Sequence, residues 1–165
     1  RDNIWNWLIG LANNVFFAVL FWRAQLYADF WLQWVYFALG IYGWWQWLRG
    51  GTNQTALKIS RARHYEWLGL ALFIPLATGA LRHFLIQANG AAPFWDSFTT
   101  ILSLAAQYLL CRKRIENWFI WIAADIIYVP LYCHRALPLT AVLYAGFLIL
   151  CVLGLLRWRK EMRHE

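Results

Sequence analysis

Acidic residues are scarce in this chain, 8 Asp and Glu among 165 positions, and residues of either charge make up only 14%. Soluble domains carry about a quarter charged residues, so an ordinary soluble composition is excluded. Cysteine is scarce too. Cys111, Cys133 and Cys151 show neither the C-x-x-C nor the Cys/His spacing of a redox or metal site, and they read as packing residues at or near helix ends. Lysine is missing from the interiors of the apolar runs: Lys58, Lys113 and Lys160 lie outside them or at their ends, which excludes a retinal protein. Histidine is equally sparse, with His64, His134 and His164 outside the runs and His83 alone near the end of one. The facing pair that haem or a metal needs in a bundle is therefore lacking, and neither cofactor nor enzyme chemistry is expected.

What remains is apolar and aromatic. Hydrophobic residues make up 62% of the chain, in runs about as long as a bilayer core is thick, so a lipid bilayer is the expected surrounding. The 13 Trp and 8 Tyr exceed what a small core needs. Many stand near run ends (Trp5, Trp7, Trp22, Trp44, Trp45, Trp47, Trp67, Trp95, Trp118, Trp158), where amphipathic rings favour the headgroup region. Runs bounded by charge, Gly or Pro predict spans near 4–22, 28–48, 66–87, 94–111, 117–133 and 139–157. None alternates as a barrel strand would, so an all-α, polytopic membrane fold follows. Pro138 suits a helix start, whereas Pro75 and Pro130 fall inside spans and predict kinks.

Residues 4–47 recur without a gap 111 positions later. Ile4, Asn6, Trp7, Ile9, Ala12, Leu20, Leu26, Leu32, Leu39, Gly43 and Trp47 match Ile115, Asn117, Trp118, Ile120, Ala123, Leu131, Leu137, Leu143, Leu150, Gly154 and Trp158. Leu pairs arise by chance in apolar chains; an Asn-Trp pair, a Gly and a Trp on one register do not. A duplicated apolar chain is the signature of a transporter, because two similar halves can enclose a site and rock about it. The span at 94–111 precedes the second copy, and its twin would lie upstream of Arg1. The expected whole is a 3+1+3, seven-helix bundle of parallel repeats, of which six spans are present and the first is lacking. Its parts would be an incomplete first repeat (1–48), a loop (49–65), a linker helix (66–87), a second repeat (94–157) and a tail (158–165).

The net charge of +7 would suggest nucleic acid in a soluble protein, but the basic residues lie between the spans. Arg1, Arg49, Lys58, Arg61, Arg63, Arg112, Lys113, Arg114, Arg157, Arg159, Lys160 and Arg163 fall on one side, against Arg23, Arg82 and Arg135 on the other. That asymmetry predicts a cytoplasmic first side, including the C-terminus, and no nucleic-acid partner.

Asn14 and Asp125 hold equivalent places in the two copies, near the bilayer centre. An ionisable residue at that depth costs several kcal/mol, of order ~3, unless it faces a cavity or partner, so it marks a functional site. Trp118, Trp121, Asp125, Tyr128 and Tyr132 share one helical face, an aromatic stripe interrupted by a carboxylate. A flat cation could stack there, with cation–π attraction and a counter-charge. Gln33 and Tyr36, then Thr99, Thr100, Ser103 and Gln107, then Tyr144 add amides and hydroxyls suited to a sugar or carboxamide. Trp44 adds an aromatic candidate contact for the substrate, although hydroxyls in membrane helices also serve as interhelical glue and interfacial Trp as anchors.

The strings Gly10-Leu11 with Asn13, Gln25-Leu26-Tyr27-Ala28 with Gln33, Ile41-Tyr42-Gly43-Trp44, Pro93-Phe94-Trp95-Asp96-Ser97, and Glu116-Asn117-Trp118 with Trp121 resemble the PnuC family of bacterial vitamin B3 transporters. The resemblance covers nearly the whole chain. It implies a 3+1+3 core similar to SWEET sugar transporters, facilitated diffusion of nicotinamide riboside across the inner membrane, trapping by phosphorylation for NAD synthesis, and a homotrimer. It also implies a Trp-x-x-Trp motif at Trp118 and Trp121, and substrate contacts at Gln33, at Asn13 or Asn14, and at position 125. Thiamine, another vitamin such as riboflavin, or a sugar remain the alternative cargoes.

Overall fold

The computed structural model describes residues 5–23, 27–88, 92–134 and 136–164. Six α-helices account for nearly all of them: α1 (Trp5–Arg23), α2 (Tyr27–Arg49), α3 (His64–Gln87), α4 (Pro93–Cys111), α5 (Asn117–His134) and α6 (Pro138–His164). Among the described residues there is no strand, only an isolated bridge between Ser60 and Arg114. Each sequence-predicted span coincides with a helix to within about two residues, except that α6 continues past residue 157 to His164. Both α3 and α5 run unbroken through Pro75 and Pro130. Arg1, Ile4, Gln25, Leu26 and Arg135, which the sequence reading used, lie outside the described residues.

Helices α1, α3 and α6 are long and apolar enough to cross a membrane by length and composition. The other three give up hydropathy to polar side chains: Gln33 and Gln46 on α2, Thr99, Thr100, Ser103 and Gln107 on α4, Asp125 on α5.

The chain divides into two compact units, Arg1–Lys58 with Leu110–Lys113, and Ile59–Leu109 with Arg114–Glu165. In the first, α1 packs on α2. Trp7 meets the edge of Trp47 at 5.3 Å and 81°, and its ring lies across Gly43, where any Cβ would overlap it. Trp47 Nε1 donates to the Leu110 carbonyl at 3.0 Å, the Lys113 ammonium stands 4.6 Å over the same ring, and the Cys111 thiol donates to the Leu39 carbonyl at 3.1 Å. These contacts fasten the turn after α4 to α2.

In the second unit α5 packs on α6 with the same device. Trp118 meets Trp158 at 5.3 Å and 81°, and its ring lies across Gly154. The 111-residue register therefore reproduces a three-dimensional packing motif, Trp over Gly beside Trp, in both copies. Around it, Leu70 of α3, Leu102, Ala105, Ala106 and Leu109 of α4, and Ile120 and Ala124 of α5 form the core. Small residues at these contacts let helices approach closely, which in lipid supplies the packing that water would otherwise drive.

Two helix ends turn through the left-handed region without glycine. Lys113 (φ 50°) and Ala136 (φ 56°) are the turning residues. After α4, Arg114 N–H reaches the Leu109 carbonyl and Lys113 N–H the Leu110 carbonyl; after α5, Leu137 N–H reaches Tyr132 and Ala136 N–H reaches Cys133. Both patterns are Schellman caps that satisfy carbonyls left over at the helix end.

Arg114 is more than the topology charge its sequence position suggests. Its Nε lies 3.1 Å from the Glu66 carboxylate, with the two side chains only 9% and 1% exposed, and its Nη1 donates to Ser60 Oγ at 2.5 Å. Glu66 also accepts from Arg63 N–H at 2.7 Å, capping the start of α3, and Glu116 accepts from Ala62 N–H at 2.8 Å. The loop before α3 is thereby bound to the α4–α5 corner.

Candidate functional site

Asp125 is 2% exposed, midway along α5. Its Oδ2 accepts the Cys151 thiol of α6 at 3.5 Å, a weak sulfur hydrogen bond. Cys151 therefore corrects one sequence expectation: it stands in the middle of α6, not near an end, and it serves a carboxylate as well as packing. Its counterpart in the first copy is Gly40, which is buried, and a Cβ there would come 2.8 Å from Leu11 Cδ2. The thiol partner has no equivalent beside Asn14.

One turn beyond Asp125 the tyrosines gather. Tyr144 of α6 stacks on Tyr128 at 4.4 Å and on Tyr132 at 5.1 Å, the rings inclined by 30° and 13°. Phe147 closes the edge at 5.7 Å and 89°. The Tyr128 hydroxyl lies near the hydroxyls of Thr99 and Ser103 on α4, and that of Tyr132 near Tyr144. Thr99 and Ser103 direct their own protons to carbonyls four residues back, Trp95 at 2.7 Å and Thr99 at 2.9 Å. Their oxygens keep lone pairs that can accept. In the first copy the same register positions are Phe17, Phe21 and Gln33, with Phe17 and Phe21 5.8 Å apart and without hydroxyls. The second copy alone joins an aromatic stack to a buried carboxylate.

Ser103, Asp125, Tyr128 and Tyr144 are thus brought together within the second unit, with Thr99 and Tyr132. Thr100 and Gln107 are half-buried on α4, and Trp121 is half-buried against the second unit's core. Trp118 is engaged with Gly154 and Trp158, but its indole N–H is buried without a hydrogen-bond partner among the described residues. The same holds for Trp44 in the first unit. Asn13 is exposed on α1, and Asn14, Gln33 and Tyr36 are half-buried in that unit.

Sequence reasoning passed over Cys151 and Phe147 as site residues. The signal was present: α6 carries Tyr144, Phe147 and Cys151 at 3-4 spacing, one face of a helix. A cavity of about 700 Å³ does not contain this cluster; it lies along Ile126, Ile127, Pro130 and Leu131 with Trp95 and His134. Its wall is apolar and Ile126 is 56% exposed, a groove suited to acyl chains and not to a polar solute.

The chemistry available is a stacking surface for a flat ring, a counter-charge for a cation, and hydroxyls for a polar substituent. Known proteins agree in kind. A sequence model of the family described as "Nicotinamide mononucleotide transporter" matches residues 1–160. The chain is 29% identical to the nicotinamide riboside transporter PnuC of Escherichia coli K12, over 99% of its own length and 80% of that protein's. It is 25% identical to the riboflavin/roseoflavin transporter RibM of Streptomyces davaonensis, over 100% and 79%. A crystal structure of the vitamin B3 transporter PnuC superimposes with a TM-score of 0.69 at 25% identity, covering 98% of this chain and 74% of that one. These relatives are transporters, which agrees with the absence of enzyme chemistry in the sequence. With six helices and a matching transporter fold, the chain is a multi-pass membrane protein, and it belongs to the nicotinamide mononucleotide transporter family.

Proposed function

We propose that the protein carries nicotinamide riboside into the cell by facilitated diffusion, supplying NAD synthesis. The observation that carries this reading is Asp125, a 2% exposed carboxylate one turn from the tyrosine stack. The nicotinamide ring of the riboside is a flat cation: the rings can stack on it, Asp125 can balance its charge, and hydroxyls can bond its ribose and carboxamide. Riboflavin, the cargo named for the relative RibM, is neutral, and a sugar needs no carboxylate either. Thiamine is an aromatic cation and competes on equal chemical terms.

The same proposal covers the setting. The membrane is the bacterial inner membrane, with the C-terminus in the cytoplasm, a reading supported by the one-sided Lys and Arg. The repeat boundaries are those predicted from sequence, supported by the matched Trp–Gly–Trp packing, and the assembly is a homotrimer in lipid, as the family resemblance implies.

Purified protein in liposomes tests the cargo. Uptake of nicotinamide riboside should fall on Asp125→Ala by about 100-fold, the order set by a unit charge pair about 6 Å apart at an effective dielectric near 20, roughly 2.8 kcal/mol. A neutral analogue of the same shape should fall far less. Equal loss for both removes the counter-charge role. Uptake should also persist under an uncoupler; its collapse would indicate proton coupling.

A further inference from the structure

At the end of α5 remote from the tyrosines, the second unit holds another cavity, of about 540 Å³. Three guanidinium groups line it. Arg159 and Arg163 are one turn apart on α6 and so share a face, and Arg61 comes from the loop before α3. That loop is held in place: Ala62 N–H donates to Glu116 Oε2 at 2.8 Å and Ile115 N–H to the Ser60 carbonyl at 3.0 Å. Arg159 lies 5.5 Å over the Phe119 ring, a cation–π contact on one wall of the cavity. Glu116 is the one carboxylate in the wall among the described residues, and one of its oxygens is already used by Ala62. Three cations against one anion leave the cavity electropositive, and Ile115, Phe119 and Met162 give it an apolar side.

Positive charge at a membrane rim is ordinarily dispersed. Here three exposed arginines from two elements converge on one walled space, and the loop bearing Arg61 is pinned by the Ala62 and Ile115 N–H bonds. Guanidinium forks match phosphate oxygens in pairs. We propose that this cavity binds a phosphate group, carried either by an anionic phospholipid headgroup or by a soluble phosphate. The apolar side suits the glycerol and first methylenes of a lipid, and the fork chemistry is common to both sources.

The test uses full-length protein in two arms. In the lipid arm, native mass spectrometry compares retention of phosphatidylglycerol with phosphatidylcholine; in the soluble arm, inorganic phosphate and pyrophosphate are titrated while thermal unfolding is followed. Arg61→Gln/Arg159→Gln/Arg163→Gln should weaken binding about 100-fold and Arg163→Gln alone about fivefold, at roughly a fivefold loss per basic residue. Lys160→Gln, exposed on α6 outside the cavity, is the control for bulk charge and should change little. The triple Arg→Lys variant keeps the charge and should recover part of the loss, which separates binding from misfolding. Loss in the lipid arm assigns a headgroup and loss in the soluble arm a free phosphate; either supports the site. Wild-type binding in neither arm, an unaffected triple Gln variant, or a Lys160→Gln loss equal to it would overturn the proposal.

Discussion

Removing the Glu66 carboxylate tests the buried clamp at the start of α3. Its side chain is 1% exposed and that of Arg114 9%, so neither charge has water to fall back on. Glu66→Ala leaves the guanidinium with Ser60 Oγ alone, and a buried charge that loses its partner costs about 3–5 kcal/mol. Part of that cost is the lost cap on Arg63 N–H, about 1 kcal/mol, which Glu66→Gln should retain through its amide oxygen. For a chain of this length 1 kcal/mol moves the melting temperature by roughly 2–4 °C, so Glu66→Ala should melt about 10 °C lower. Arg114→Met should also destabilise, because it removes the guanidinium that faces the buried carboxylate. The double variant Glu66→Gln/Arg114→Met should lose much less than the sum of Glu66→Gln and Arg114→Met measured singly, with a coupling of about 2 kcal/mol or more between the two sites. The assay is thermal unfolding of detergent-solubilised protein, with elution as a single species as the folding control. Strict additivity, or a Glu66→Ala melting temperature equal to wild type, would refute the argument that this pair is desolvated and mutually dependent.

Gly43→Ala and Gly154→Ala should each destabilise by about 1–3 kcal/mol, since both place a methyl inside a tryptophan ring contact. The two melting shifts should match within experimental scatter because the geometry of the two copies matches; a large loss at one and none at the other would contradict the shared motif. Ala136→Gly should instead raise stability by about 0.5–1 kcal/mol, because a left-handed turn costs a side-chain-bearing residue strain that glycine avoids. An unchanged or lower melting temperature would show that the cap after α5 is not strained.

Much of this protein was legible in one dimension. Spans in lipid must satisfy their own backbone, so apolar length, Gly and Pro marked six helices, and the Asn-Trp, Gly and Trp matches marked the register on which the two Trp–Gly–Trp contacts fall. The choice of Asp125 followed from depth alone, since a carboxylate that far from water requires a partner. Family strings carried the membership that residues 1–160 bear out. What sequence could not supply was the partner's name. Cys151 lies 26 positions from Asp125 and Glu66 lies 48 from Arg114, and nothing in local periodicity links residues so far apart. Helix rotation and packing decided those pairs. They also turned Arg114 from a topology charge into a buried clamp, engaged Trp118 with Gly154, and placed Tyr144 against Tyr128 and Tyr132, because a side chain's role in lipid depends on which neighbouring helix its face meets.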